Sequence, residues 1–302
     1  MVLWMRRQRI KTEGTLGGMK NIDLWEKGQI PFYEEELHTG VNEDSCTITP
    51  YLIEDGQEHG CIMIFPGGGY VHRAEKEAGP VAEYVNSLGM HAFIVNYRVI
   101  PYDPHLGVVD GKRAMKQVRS KMAEFKIKDG CLGVMGFSAG AGNASLTTLT
   151  YDEPEHEPKD EVDKLAAKPD FAVFCYGAMS VDPKYFTEVD TKNFEDIVPE
   201  EEREEYINAN SPDRKVREDM PPTFIWHCVD DARVNVGCCL SFVNAMQAHG
   251  VDYECHLFPE GGHGKSIREA KDIPGVCQWP ELLADWLRRK HFVGGCHGNH
   301  QE

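Results

Sequence analysis

Short apolar runs alternate along this chain with longer stretches in which apolar residues recur every three or four positions. The first pattern marks buried strands and the second marks amphipathic helices. The runs Thr47–Glu54, Cys61–Phe65, Ala92–Tyr97, Leu132–Phe137, Phe171–Tyr176, Thr223–Val229 and Tyr253–Phe258 are predicted strands. The segments Glu77–Leu88, Asp110–Phe125, Ala139–Thr150, Val236–His249 and Trp279–Lys290 are predicted helices between them. Regular alternation of this kind specifies an α/β fold, a mostly parallel central sheet with helices on both faces. Trp226 lies inside a predicted strand and is assigned to the core.

Between Tyr151 and Pro221 the pattern gives way to carboxylates, interrupted by the strand at Phe171. Pro199 followed by Glu200, Glu201 and Glu202 reads as a helix start, because proline suits the first turn and acids favour the positive end of the helix dipole. This acidic stretch is expected to form lid-like insertions within 151–221 near the carboxyl ends of the strands. No Pro/Gly/Ser-rich linker divides the chain, so residues 19–293 are expected to form one domain. Residues 1–18 are expected to be a disordered basic extension, with Met19 a natural start, and 294–302 a loose tail.

Composition narrows the function. The 302 residues are 41% hydrophobic and 27% charged, the balance of a water-soluble globular protein, and no apolar run approaches a membrane span. A net charge of −17 repels nucleic acid and anionic membrane, so neither is expected as a partner and a neutral substrate is. The ten cysteines include no Cys-x-x-Cys pair and several fall in apolar runs, which fits buried reduced thiols rather than structural zinc. With no export signal recognisable at the start, a cytoplasmic protein is expected. Oligomeric state is left open, a homodimer being one option.

The chemistry is concentrated in three glycine-rich segments. Gly136, Phe137, Ser138, Ala139 and Gly140 join a predicted strand to a predicted helix, the setting of a nucleophile elbow in which the serine hydroxyl stands exposed at the top of a sheet. A serine hydroxyl is a poor nucleophile at neutral pH, so it needs an imidazole as base and an acid to orient that imidazole. His263, flanked by Gly261, Gly262 and Gly264, follows the last strand, and Asp231 follows the strand before it. Asp230 competes for the acid role, but Asp231 lies further into the loop and is preferred. Both could also cap the next helix. His227 and His256, within strands, are assigned to the core, while His291, His297 and His300 are expected to face solvent. Pro66, Gly67, Gly68, Gly69 and Tyr70 follow the strand at Cys61, and the N–H groups of Gly68 and Gly69 are expected to join that of Ala139 as an oxyanion hole. Tyr70 and His72 are candidate substrate-binding residues, and His105 a further rim candidate.

The order Ser, Asp, His is that of the α/β hydrolases. With Asn96-Tyr97-Arg98, Pro221-Pro222-Thr223-Phe224 and Leu257-Phe258-Pro259-Glu260-Gly261-Gly262-His263-Gly264, the chain resembles the bacterial acetyl xylan and feruloyl esterase group of that superfamily, from about Ile48 to Leu287. It departs at Pro66, where lipase-type relatives carry histidine, and at Ala141-Gly142-Asn143. The resemblance implies a serine esterase with Ser138 as nucleophile, Asp231 and His263 completing a triad, and no metal or organic cofactor. Short acyl esters, chiefly acetyl, of carbohydrates such as xylo-oligosaccharides are the implied substrates. An arylesterase or arylformamidase shares these motifs, and a non-catalytic relative that binds carbohydrate or protein would keep the fold without the chemistry.

Overall fold

A computed structural model of the chain describes residues 20–187, 191–192, 194–195 and 198–293. The expected basic extension, Met19 and the tail from 294 lie outside the described residues. Eight strands form one sheet in the order β1-β2-β4-β3-β5-β6-β7-β8. They are β1 Ile22–Asp23, β2 Thr47–Tyr51, β3 His59–Phe65, β4 His91–Asn96, β5 Ile127–Phe137, β6 Ala172–Cys175, β7 Thr223–Cys228 and β8 Tyr253–Phe258. All pairings from β4 to β8 are parallel, and β2 runs antiparallel to both its neighbours.

Side-chain alternation along the strands divides the core into two layers. Met63, Phe65, Phe93, Val95, Leu132 and Val134 face the helices Leu106–Ser120, Ala139–Leu149 and Val236–Ala248. Ile62, Ile64, Ala92, Ile94, Met135 and Phe137 face Gly79–Ser87 and Trp279–Arg289. Trp226 is fully buried in the second layer, stacked on Trp279 at 5.2 Å between ring centres. Burying a side chain of this size contributes about 1.5–3 kcal/mol.

Every predicted strand and helix is present, most with shifted ends. The strand expected to reach Glu54 stops at Tyr51, and the Ile53 N–H turns aside to donate to His91 Nδ1 at 3.0 Å. β5 begins at Ile127 rather than Leu132, across an irregularity opposite His59 and Cys61. The helix expected over Asp110–Phe125 begins at Leu106 and breaks at Lys121 into Leu106–Ser120 and Met122–Phe125. Gly107 and Gly111 let the longer piece approach the neighbouring helix, since a Cβ there would lie 2.4 Å from Asn143 Nδ2 or 2.5 Å from Thr147 Oγ1. The two-residue β1 carries too short a pattern to be read from sequence.

The acidic stretch, expected as one set of insertions at the strand carboxyl ends, divides in two. Residues 151–170 dock along the helix Leu106–Ser120, where the Arg113 guanidinium reaches Asp160 at 2.6 Å and Asp163 at 2.8 Å, and Lys116 Nζ donates to the Asp163 carbonyl at 2.7 Å. Residues 177–222 leave the carboxyl end of β6 and include the helix Arg203–Asn210, preceded by the single turn Glu200–Glu202. Phe194, Val198 and Ile207 form a small apolar cluster of their own there, with Val181 and Phe186 packed against it. Among the described residues Cys46, Cys61, Cys175, Cys228, Cys238 and Cys239 are buried free thiols. No helix among the described residues is long and apolar enough to cross a membrane.

Chain direction also locates a crevice. From β3 the chain moves outward to β4, and from β5 it moves the other way to β6, so β3 and β5 lie side by side at the point where the winding reverses. Open α/β sheets bind ligands outside the carboxyl ends of such a pair. Here those ends carry Pro66–Tyr70 and Ser138.

Candidate active site

Ser138 sits between β5 and the helix Ala139–Leu149 with φ 52° and ψ −123°, a conformation that costs a side-chain-bearing residue about 1–3 kcal/mol. Steric crowding explains the glycines on either side. A Cβ on Gly136 would lie 2.5 Å from Ala141 Cα, and one on Gly140 would lie 2.2 Å from the Phe65 carbonyl oxygen and 2.4 Å from that of Pro66. Strand and helix therefore touch backbone to backbone, which turns the serine outward. It remains 9% exposed.

His263 comes from the loop after β8, in which Gly261, Gly262 and Gly264 all have positive φ. Its Nδ1 lies 2.7 Å from Asp231 Oδ2 and its Nε2 lies 2.8 Å from Ser138 Oγ. A carboxylate can only accept, so Nδ1 carries the ring proton and Nε2 is left to accept from the serine hydroxyl. Asp231 is held in turn: its Oδ1 accepts the N–H groups of Arg233 at 2.9 Å and Val234 at 3.0 Å. Burial opposes its charged form, yet hydrogen bonds from His227, His263 and the Val234 N–H outweigh it and hold the carboxyl well below the usual carboxylate range.

Two neighbours of the acid have roles the sequence did not reveal. Asp230, the rival candidate, accepts the N–H groups of Gly261 at 3.1 Å and Gly262 at 2.7 Å, so it fixes the histidine loop rather than the ring. His227, assigned to the core, is fully buried on β7 with Nε2 2.9 Å from the Val234 carbonyl and 3.3 Å from Asp231 Oδ2. Both partners accept only, so its Nε2 carries a proton shared between them. Tyr176, at the end of β6, packs its ring edge-on to His263 with centres 5.2 Å apart and the planes at 73°.

The glycine loop after β3 faces the same point. Gly68 and Gly69 have φ of 132° and 61°, and a Cβ on Gly68 would lie 2.1 Å from the His72 carbonyl oxygen. Only glycine fits that turn. Among the described residues no acceptor engages the N–H of Gly68 or Gly69. That of Ala139 opens a helix and has no acceptor one turn back. Behind the loop, the Tyr97 hydroxyl donates to the Pro66 carbonyl, and the Arg73 guanidinium donates to the Tyr97 carbonyl at 2.8 Å. Arg98 forms a buried ion pair with Asp110 at 2.7 Å. Of the Asn96-Tyr97-Arg98 run, Tyr97 thus braces the glycine loop, while Asn96 bonds Thr47 and Thr49 on β2.

Of the substrate-binding candidates, Tyr70 is half-buried beside the elbow helix, where its hydroxyl lies 2.6 Å from the point a Gly142 Cβ would occupy. Burial, with the nearby Tyr206 phenol second, pushes the Tyr70 phenol up to about 12. His72 instead lines a separate cleft of about 410 Å³ with Asp44, Arg73 and Asn96, whose walls include neither Ser138 nor His263. His105 is occupied by Glu155 at 2.7 Å. Among the described residues no group of three His, Cys, Asp or Glu side chains is placed to hold a metal ion.

A parallel-centred sheet with a serine elbow after β5, an acid after β7 and a histidine after β8 is the architecture of an α/β hydrolase. Within that class the chain belongs to the BD-FAE family, whose family model matches residues 51–246. It is similar to the acetyl ester-xyloside bifunctional hydrolase of Caldicellulosiruptor lactoaceticus, with 34% identity and a TM-score of 0.81 over 93% of this chain and 100% of that one. It is also similar to endo-1,4-beta-xylanase B of Butyrivibrio fibrisolvens, at 25% identity over 80% of this chain and 38% of the relative. The acetylxylan esterase of Xylanibacter ruminicola is 28% identical over 67% of this chain and 40% of its own length. The chain thus spans about two fifths of the length of these two curated relatives.

Proposed function

We propose that the protein is a serine carboxylesterase that removes short acyl groups, acetyl first among them, from carbohydrate esters such as acetylated xylo-oligosaccharides. The observation that carries this reading is the unbroken relay from Ser138 Oγ through His263 to Asp231, with spacings of 2.8 Å and 2.7 Å. The acetyl and xylose-linked preference is supported by likeness to the acetyl ester-xyloside hydrolase over its whole length.

In the proposed cycle Ser138 Oγ attacks the ester carbonyl carbon while its proton passes to His263 Nε2. Asp231, ionised and fixed by two backbone amides, stabilises the imidazolium that results. The developing oxyanion is received by the N–H groups of Ala139, Gly68 and Gly69, which, being fixed before the reaction, need no reorganisation when charge appears. His263 then gives the proton to the sugar oxygen as the bond from it to the carbonyl carbon breaks, and the alcohol departs. Water, deprotonated by the same nitrogen, attacks the acyl-serine, acetate leaves and Ser138 recovers its proton.

A fluorophosphonate probe and a substrate panel test the reading together. The expected result is labelling of the wild type but not of Ser138→Ala, and release of acetate from acetylated xylo-oligosaccharides in preference to butyryl or feruloyl esters. A folded wild type that takes no label would refute the serine mechanism. A labelled enzyme that prefers aryl acetates or N-formylkynurenine would refute the carbohydrate assignment alone.

A further inference from the structure

Two residues outside the triad tie together the loops on either side of Ser138. Lys76 and Glu77 belong to the short turn Glu75–Glu77 between the glycine loop and the helix Gly79–Ser87. Glu77 is 2% exposed, and both of its oxygens are held by uncharged donors: Oε2 accepts the Gly67 N–H at 2.8 Å and Oε1 accepts the Tyr176 hydroxyl at 2.9 Å. A Cβ added to Gly67 would lie 2.7 Å from that Oε2, 2.9 Å from Ser138 Cβ and 2.6 Å from the Phe137 carbonyl oxygen. Only the Gly67 backbone therefore separates the carboxylate from the elbow. Through Tyr176, whose ring edge meets His263, the same carboxylate also backs the imidazole.

Lys76 reaches the other way. Its Nζ donates to the Gly264 carbonyl at 2.7 Å, and its own carbonyl accepts the Ser266 hydroxyl at 2.9 Å. The histidine loop is thus pinned just beyond His263 by the residue adjacent to the one that pins the glycine loop. Burying a carboxylate without a cation is costly, and a neutral side chain could fill the same space more cheaply. A carboxylate, however, offers acceptors on both oxygens and can hold two donors from different segments at once.

We propose that Lys76 and Glu77 are positioning residues that lock the glycine loop and the histidine loop to one another, keeping the Gly68 and Gly69 amides, Ser138 and His263 in register through the reaction. The inference rests on the esterase reading. Neither residue need touch the substrate. Glutamine at 77 keeps the size but turns one acceptor into a donor, so it must release either the Gly67 amide or the Tyr176 phenol.

The test measures kcat and KM separately for p-nitrophenyl acetate in the wild type, Glu77→Gln, Lys76→Met and the double variant, with a thermal melt for each. Misplacing reacting groups by about 1 Å costs about a hundredfold, so Glu77→Gln is expected to lower kcat by about 10- to 100-fold with KM changed by less than about threefold. Lys76→Met is expected to lower kcat by about 3- to 10-fold, and the double variant to lose less than the product of the single losses. A folded Glu77→Gln with kcat within twofold of wild type, or with a loss confined to KM, would overturn the proposal. Should Glu77→Gln not fold, Tyr176→Phe removes only the phenolic donor, and a kcat within twofold of wild type there overturns it equally. The two readings fail differently: an unlabelled wild type sinks the esterase, whereas a labelled wild type with an undiminished Glu77→Gln sinks only the clamp.

Discussion

Asp231→Asn replaces an acceptor by a donor at the one oxygen that faces two ring N–H groups. In the native site Oδ2 lies 2.7 Å from His263 Nδ1 and 3.3 Å from His227 Nε2, while Oδ1 is engaged by the Arg233 and Val234 amides. Those two amides keep the asparagine oxygen on their side, so its NH2 group is left facing His263. The charge-assisted hydrogen bond, worth about 1.5–3 kcal/mol, is lost, and a donor meets a donor at a further cost of about 1–3 kcal/mol. His263 escapes by moving its proton to Nε2, where it can no longer take one from Ser138. The total of about 2.5–6 kcal/mol, at about 1.36 kcal/mol per tenfold, corresponds to roughly a hundredfold to ten-thousandfold loss. The assay is kcat for p-nitrophenyl acetate in folded Asp231→Asn beside Asp230→Asn, which loosens only the Gly261 and Gly262 amides and is expected to lose about tenfold or less. A folded Asp231→Asn that loses less than tenfold, or less than Asp230→Asn, would refute the assignment of the acid.

Two further outcomes follow from local geometry. Ser138→Gly and Ser138→Ala should both be inactive, but at φ 52° the glycine variant relieves strain that alanine retains, so it should be the more stable of the two by about 1 kcal/mol in urea unfolding. Equal midpoints would mean that the elbow stores no strain. Burial opposes the charged form of Glu155, yet hydrogen bonds from His105 and Lys112 outweigh it and bring the carboxyl from its ordinary 4.5 to about 2. Because the folded value is depressed, that stabilisation is complete above the ordinary value and is lost as pH falls toward 2. Glu155→Gln should therefore melt below wild type at pH 7 and converge with it near pH 2, and a constant gap across that range would count against the ion pair.

What the sequence disclosed and what it concealed divide along physical lines. β8 was legible to the residue and the helix Val236–Ala248 to within one, the helix because Cys238, Cys239, Phe242 and Met246 recur at helical spacing on its buried side. The junction at Lys121 was not, since an apolar period continues across it from Val118 to Met122 and Phe125. Ser138, Asp231 and His263 could be singled out because close backbone contact and positive φ demand glycines around two of them. Glu77, Tyr176 and His227 carry no such local mark. Glu77 and Tyr176 meet across 99 residues and only folding brings them together, while His227 lies inside an apolar strand run that gives no sign of its bonds to Asp231 and Val234. The doublet Asp230-Asp231 was visible, but its division of labour required the loop amides to be seen.

The reversal of winding between β3 and β5 has a consequence for how such a protein can change over generations. The proposed reacting groups hang on strand ends, while in the tract after β6, one strand away, Phe194, Val198 and Ile207 pack in an apolar cluster of their own. The part built on that cluster can be rewritten while Met179, Val216 and Met220, towards the two ends of the tract, stay in the main core. A lineage can thus explore new substrate shapes by editing one overhang while inheriting the proposed acyl chemistry intact.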